Sequence, residues 1–109
     1  MNEETNYVDI TSVNNLPSGA TRKFTVGNSD ILLANVDGKI YAVDDMCTHE
    51  DSSLSLGCLK GELVSCTLHG SRFNVRTGEP TEEPATEALQ RYKVRIQNDR
   101  IEINITPIK

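Results

Sequence analysis

At 109 residues, with 37% hydrophobic and 25% charged residues, the chain has the size and composition of one ordinary globular domain, too small for a second catalytic unit. Its formal net charge of -5 argues against nucleic acid as a partner, because phosphates need clustered lysine and arginine. No apolar run is long enough to cross a membrane.

Short runs of alternating apolar and polar residues, separated by turn signals, predict an all-β domain of antiparallel strands. Residues 7–10 form the first strand, and a loop through Asn14, Asn15, Pro17 and Gly19 follows. Residues 20–26 form the second strand, and Gly27-Asn28 turns the chain into a third strand over 30–36. Asp37-Gly38 is a two-residue hairpin signal, because both residues tolerate positive φ, and it leads into a fourth strand over 39–43.

The composition then changes. Residues 45–88 carry more glycine, proline and acid, with short strands at 63–65 and 71–75 and a turn at Arg76-Thr77-Gly78. Beyond it, residues 91–97 and 100–105 flank Asn98-Asp99 as a last hairpin. The expected organisation is one domain over 1–109, with a base subdomain of about 1–44 and 89–109 and a subdomain over about 45–88 that holds the chemistry.

That middle segment contains Cys47-Thr48-His49 and Cys66-Thr67-Leu68-His69, which use both histidines and two of the three cysteines. The order C-x-H…C-x-x-H is the donor set of a Rieske-type 2Fe-2S cluster, with thiolates on one iron and imidazoles on the other. The same four donors also make a tetrahedral zinc set, but zinc sites of that composition group like ligands as C-x2-4-C and H-x3-5-H. Here each pair mixes a thiolate with an imidazole, which suits two bridged irons that each receive one ligand per loop. Cys47, His49, Cys66 and His69 are therefore the expected metal and cofactor ligands, and one 2Fe-2S cluster is the expected cofactor. With both histidines committed, none remains for the two-histidine, one-carboxylate iron site of an oxygenase. The chain is expected to deliver electrons to such a site and to contain no catalytic residues of its own.

Cys58 is left alone, so the loaded protein cannot form an internal disulfide, which fits a reducing compartment. Cys58 itself is expected to be a small structural residue. The start Met1-Asn2-Glu3-Glu4 lacks the basic residues and apolar run of a secretory signal, so a cytoplasmic location is expected. Gly57, Gly61 and Gly70 are expected at tight turns. The acids Asp44, Asp45, Glu82, Glu83 and Glu87 are candidates for an acidic face that meets a basic partner.

The sequence closely resembles the Rieske ferredoxins of bacterial ring-hydroxylating dioxygenase systems over nearly its whole length. The similarity is strongest in Cys47-Thr48-His49-Glu50-Asp51, in Ser53-Leu54-Ser55, and from Cys66 through His69, Gly70, Ser71, Arg72 and Phe73 to Gly78. The resemblance implies stacked antiparallel sheets with a small cluster-binding subdomain formed by loops. It implies a soluble one-electron carrier between an NAD(P)H-dependent flavoprotein reductase and a terminal oxygenase, docking transiently and expected to be monomeric. It places Cys47 and Cys66 on the inner iron and His49 and His69 on the outer one. Pro84, with Pro80 as competitor, resembles the proline of a shielding third loop. The small subunit of an NAD(P)H-dependent nitrite reductase and a general cellular Rieske ferredoxin are the alternatives; members of the former typically lack the ligands.

High-potential Rieske proteins can be compared at four matching positions, and this chain departs from them at three, keeping the serine at Ser71. Their two loops are joined by a disulfide where this chain has Ser52 and Leu68, and a serine and a tyrosine donate to the cluster where it has Ser71 and Phe73. A missing hydrogen bond to charged sulfur is worth about 1.5–3 kcal/mol, or roughly 65–130 mV for one electron. The expected potential therefore lies in the lower half of the range of about -150 to +300 mV.

Overall fold

The computed structural model describes residues 7–46, 53–65, 71–81 and 87–108. Ten strands occur in these: β1 (Tyr7–Ser12), β2 (Thr21–Val26), β3 (Ser29–Val36), β4 (Lys39–Asp44), β5 (Leu59–Lys60), β6 (Leu63–Ser65), β7 (Arg72–Asn74), β8 (Arg91–Tyr92), β9 (Val94–Gln97) and β10 (Arg100–Asn104). They make three antiparallel sheets, ordered β1-β10-β9, β2-β3-β4-β8 and β5-β6-β7. The all-β expectation holds.

The run Ile31-Leu32-Leu33-Ala34 in β3 breaks the alternating pattern, and the reason is that both faces of its sheet are covered. Successive side chains point to opposite faces. Leu32 and Ala34 pack with Val43, Leu54, Val64, Phe73, Val75 and Leu89, which belong largely to the small β5-β6-β7 sheet and its connections. Ile31 and Leu33 pack on the other side with Leu16, Ala42, Tyr92, Ile101 and Ile103. The four-stranded sheet is thus the middle layer, and burying each of its leucines contributes roughly 1.5–3 kcal/mol.

The hairpins follow their turn residues. Asp37 (φ 51°) and Gly38 (φ 93°) join β3 to β4, and Asn98 (φ 53°) and Asp99 (φ 63°) join β9 to β10. The expected strand over 91–97 is instead two strands in different sheets, since β8 pairs with β4 whereas β9 pairs with β10. The chain changes layer at Lys93, whose carbonyl accepts from the Asn104 N–H at 2.9 Å. Two 3-10 turns, Val13–Asn15 and Leu54–Leu56, and the two-residue strand β5 lie outside the expected elements.

Across β9 and β10, Arg95 pairs with Glu102 at 2.6 Å and lies 4.0 Å from the centre of the Tyr7 ring, fixing β1 to the same sheet. In the small sheet, Glu62 accepts from Asn74 at 2.8 Å and from Arg76 at 3.2 Å. Hydrogen bonding from Arg76 and then Asn74 lowers the Glu62 pKa.

Candidate metal centre

Cys47, His49, Cys66 and His69 lie outside the described residues, as do Glu50, Asp51, Ser52, Leu68, Gly70, Glu82, Glu83 and Pro84. The frame that carries the two donor pairs is described on both sides of each. Among the described residues no group of three or more histidine, cysteine or carboxylate side chains could hold a metal, so no rival metal site is offered there.

The first pair is carried by the end of β4. Asp44, the last residue of β4, accepts the Tyr92 hydroxyl at 2.6 Å, which ties the strand end to β8. Burial, and after it the hydrogen bond to Asp44, holds the Tyr92 phenol well above its ordinary pKa. The Asp45 N–H donates to the Asp30 carbonyl at 3.0 Å. Beyond it, Met46 forms an isolated antiparallel bridge with Ser53, so the described residues on either side of 47–52 are paired with each other.

Asp45 closes this stem from inside. Only 2% of its surface is exposed, and its carboxylate accepts from the Ser53 hydroxyl and from the Ser55 N–H at 2.9 Å, while its carbonyl accepts from the Leu54 N–H at 2.7 Å. This overturns its expected place on an acidic docking face. A buried carboxylate persists when its oxygens are hydrogen-bonded, and here donors from the far side of the loop supply those bonds. Asp44, partly buried and committed to Tyr92, is likewise an anchor rather than an open surface charge.

The second pair leaves from β6. Ser65 pairs with Arg72 across β6 and β7, so the described chain on the two sides of the second donor pair is also joined. The same sheet edge is extended beyond β7, where Pro80 bridges Phe73 and the Thr81 N–H donates to the Arg72 carbonyl at 2.8 Å. Pro80 is therefore part of this edge. The turn at Arg76-Thr77-Gly78 is as expected, with Gly78 at φ 80° and the Arg76 N–H donating to Asn74 Oδ1 at 2.8 Å.

The two stems belong to one packed body. From Ser53 the chain runs through Leu54–Leu56 to Gly57 and Cys58, and the Cys58 carbonyl accepts from the Ser65 N–H at 2.9 Å. Gly57 is extended (φ -91°), so its expected role in a tight turn is replaced by a close approach: a Cβ there would overlap the Ser65 carbonyl oxygen. Leu54, Val64 and Phe73 are all fully buried in the shared core. Cys58 is exposed, so its contribution here is through its backbone and its side chain is no part of the packing.

Phe73 and Ser71 are both fully buried, immediately after the second donor pair. Sequence reasoning missed Asp45 as an anchor. The signal was present in the Ser53-Leu54-Ser55 run, whose hydroxyls meet each other at 2.8 Å and whose donors converge on that carboxylate.

The donor chemistry and the frame fit a 2Fe-2S group. Each segment offers one thiolate and one imidazole, and each cysteine directly follows a residue paired into the body, Met46 in one case and Ser65 in the other. The histidines come two and three residues later.

Residues 6–93 match the family model of the Rieske [2Fe-2S] domain. The chain is 36% identical over 96 residues to the ferredoxin component of the naphthalene 1,2-dioxygenase/salicylate 5-hydroxylase systems of Ralstonia sp, covering 88% of this chain and 92% of that protein. It is likewise 36% identical over 96 residues to the ferredoxin component of biphenyl 2,3-dioxygenase from Rhodococcus jostii, covering 88% and 90%. Among solved structures, a chain in the complex of reduced oxygenase and oxidized ferredoxin of carbazole 1,9a-dioxygenase superposes with a TM-score of 0.91 at 28% identity, covering 95% of this chain and 97% of that one. The ferredoxin of carbazole 1,9a-dioxygenase from Nocardioides aromaticivorans IC177 gives 0.85 at 27% identity, covering 89% and 95%.

Proposed function

The chain belongs to the Rieske [2Fe-2S] domain family, and from that premise we propose that Cys47, His49, Cys66 and His69 hold one 2Fe-2S cluster by which it carries electrons to a terminal ring-hydroxylating oxygenase. When bound, the cluster supplies a site that takes up and gives back one electron. The protein is an electron-transfer component and not itself the oxygenase, in keeping with relatives that are ferredoxin components of dioxygenase systems.

The supporting observation is the bracketing of both donor pairs by paired residues, the isolated bridge of Met46 with Ser53 and the strand pair of Ser65 with Arg72. Ligands borne on short loops from a rigid sheet are held in place before the metal arrives, which lowers the ordering cost of binding. Cys47 and Cys66, each next to the frame, would ligate the inner iron. His49 and His69, further along their loops, would ligate the outer iron and face the partner. Residues 45–88 form the cluster-binding part and the remainder the base, with Leu32 and Val43 of the base sharing one core with Leu54, Val64 and Phe73.

The partners are a flavoprotein reductase, which supplies electrons from NAD(P)H, and the oxygenase, which consumes them. Docking is transient and the carrier is monomeric. No helix among the described residues is long and apolar enough to cross a membrane. A cytoplasmic location is part of the proposal, supported by two thiolates that must stay reduced to bind iron.

Reconstitution tests the function. With NAD(P)H, the reductase and the oxygenase of a ring-hydroxylating system, product formation should require this protein and saturate with it. Equal turnover in its absence would reject the proposal.

A further inference from the structure

Residues 53–58 connect the two stems and are clamped at both ends. At the first end, Ser53 is bridged to Met46 and donates its hydroxyl to the buried Asp45 carboxylate, one residue and two residues before Cys47 respectively. At the second end, Gly57 lies so close to the Ser65 carbonyl that no side chain fits, with the Ser65 carbonyl carbon 3.0 Å from where a Cβ would stand. The Cys58 carbonyl takes the Ser65 N–H at 2.9 Å, and Ser65 directly precedes Cys66. Between the clamps, the Leu54 side chain is fully buried in the core shared by both stems, and the Gly57 N–H donates to the Leu54 carbonyl at 3.0 Å.

We infer that this strap is a positioning device, in which Ser53 and Gly57 set where the Cys47 and Cys66 stems stand relative to each other and thereby tune how the cluster is held. The inference rests on the ligand assignment above. Here the contact atoms at the second end are backbone on both sides, and a backbone cannot swing aside as a flexible side chain can. Adding one methyl group at Gly57 must move the Ser65 carbonyl, and Cys66 is the next residue. Removing the Ser53 hydroxyl acts at the opposite end without adding an atom. Both changes should alter the same property, although they act on different stems. Neither residue is a ligand: Ser53 acts through the Asp45 carboxylate, two residues before Cys47, and Gly57 through the Ser65 carbonyl, next to Cys66, as groups beyond the ligands commonly do at metal sites.

The test uses the cluster-loaded protein and compares Gly57→Ala and Ser53→Ala with a control, Gly38→Ala. Gly38 has φ 93° and open space around it, in the β3–β4 hairpin, so alanine there strains the fold without touching either stem. The readouts are the g-values of the reduced protein and the rate of cluster loss to a chelator, with thermal unfolding measured in parallel. Gly57→Ala and Ser53→Ala should each displace the g-values and speed cluster loss about tenfold, whereas Gly38→Ala should lower thermal stability and leave both readouts at the wild-type values. Wild-type g-values and loss rates in Gly57→Ala and Ser53→Ala would overturn the positioning role while leaving the carrier function intact. Equal displacement in Gly38→Ala would overturn it too, by showing that any loss of stability suffices. If Gly57→Ala fails to fold, Ser53→Ala decides by the same two readouts. A wild-type protein without iron and sulfide would instead reject the carrier reading itself, and this inference with it.

Discussion

The Ser55 N–H donates to Asp45 Oδ1 at 2.9 Å and so closes a stretch of chain that contains the whole first donor pair. A carboxylate before residues 47–52 that accepts from Ser53 and Ser55 after them ties the described residues on the two sides together. The arrangement is stable only because Asp45 is buried with its oxygens satisfied.

Asp45→Ala removes the acceptor and leaves donors from Ser53 and Ser55 facing a cavity. It should cost about 2–4 kcal/mol of unfolding free energy, measured by denaturant titration of the loaded protein. Asp45→Asn keeps one acceptor and should cost less than half as much. Wild-type stability in the alanine variant would show that water replaces the carboxylate.

His69→Ala should lose the intact cluster, because an iron left with an open position is readily lost. Iron and sulfide assays after purification check this. Full retention of both would remove His69 from the ligand set.

Phe73→Tyr should raise the midpoint potential by tens of millivolts, if one new hydrogen bond to sulfur is gained. Phe73 is fully buried and lies four residues after His69 in the chain, so a hydroxyl there must find a partner. An unchanged potential together with a lowered melting temperature would place the new hydroxyl among apolar neighbours instead.

Tyr92 gives a pH dependence with a definite sign. Its folded-state pKa is raised above the ordinary value of 10.0 by burial and then by Asp44. The folded protein therefore holds the phenolic proton more tightly than the unfolded chain does. This stabilisation is complete below about pH 10 and is lost as pH rises toward the folded-state value. Unfolding free energies of Tyr92→Phe should fall less steeply than those of wild type between about pH 10 and 11.5. Parallel curves would show that Tyr92 titrates alike in both states.

Electron transfer to the oxygenase should slow as ionic strength rises from about 0.01 to 0.15 M, since the net charge of -5 acts over about 30 Å at the first and about 8 Å at the second. Rates independent of salt would discard long-range steering. With Asp44 and Asp45 committed to Tyr92 and to Ser53 and Ser55, any steering falls to other acids, of which Glu87 is exposed.

Local chemistry was legible in the sequence wherever the residues themselves decide it. Asp37-Gly38 and Asn98-Asp99 announce hairpins because few other pairs accept positive φ at both positions, and both hairpins are present. The proposed donor pairs rest on the order of thiolate and imidazole, which separates an iron-sulfur set from a zinc set, and they lie outside the described residues. What escaped depends on tertiary partners. The division of residues 91–97 between two sheets is set by β4 on one side and β10 on the other, and nothing in Arg91 to Gln97 encodes that change of layer. Gly57 read as a turn glycine, since its true constraint is a carbonyl contributed by Ser65. Asp45 read as surface acid for the same reason: its burial comes from Ser53, Ser55 and the core beneath them.

The most direct measurement is chemical analysis of the purified protein joined to electron paramagnetic resonance after reduction by dithionite. Two irons and two acid-labile sulfides per chain are expected, with a rhombic signal that disappears on reoxidation. A colourless protein carrying one zinc, or one carrying no metal at all, would contradict the assignment of Cys47, His49, Cys66 and His69 to a shared cluster.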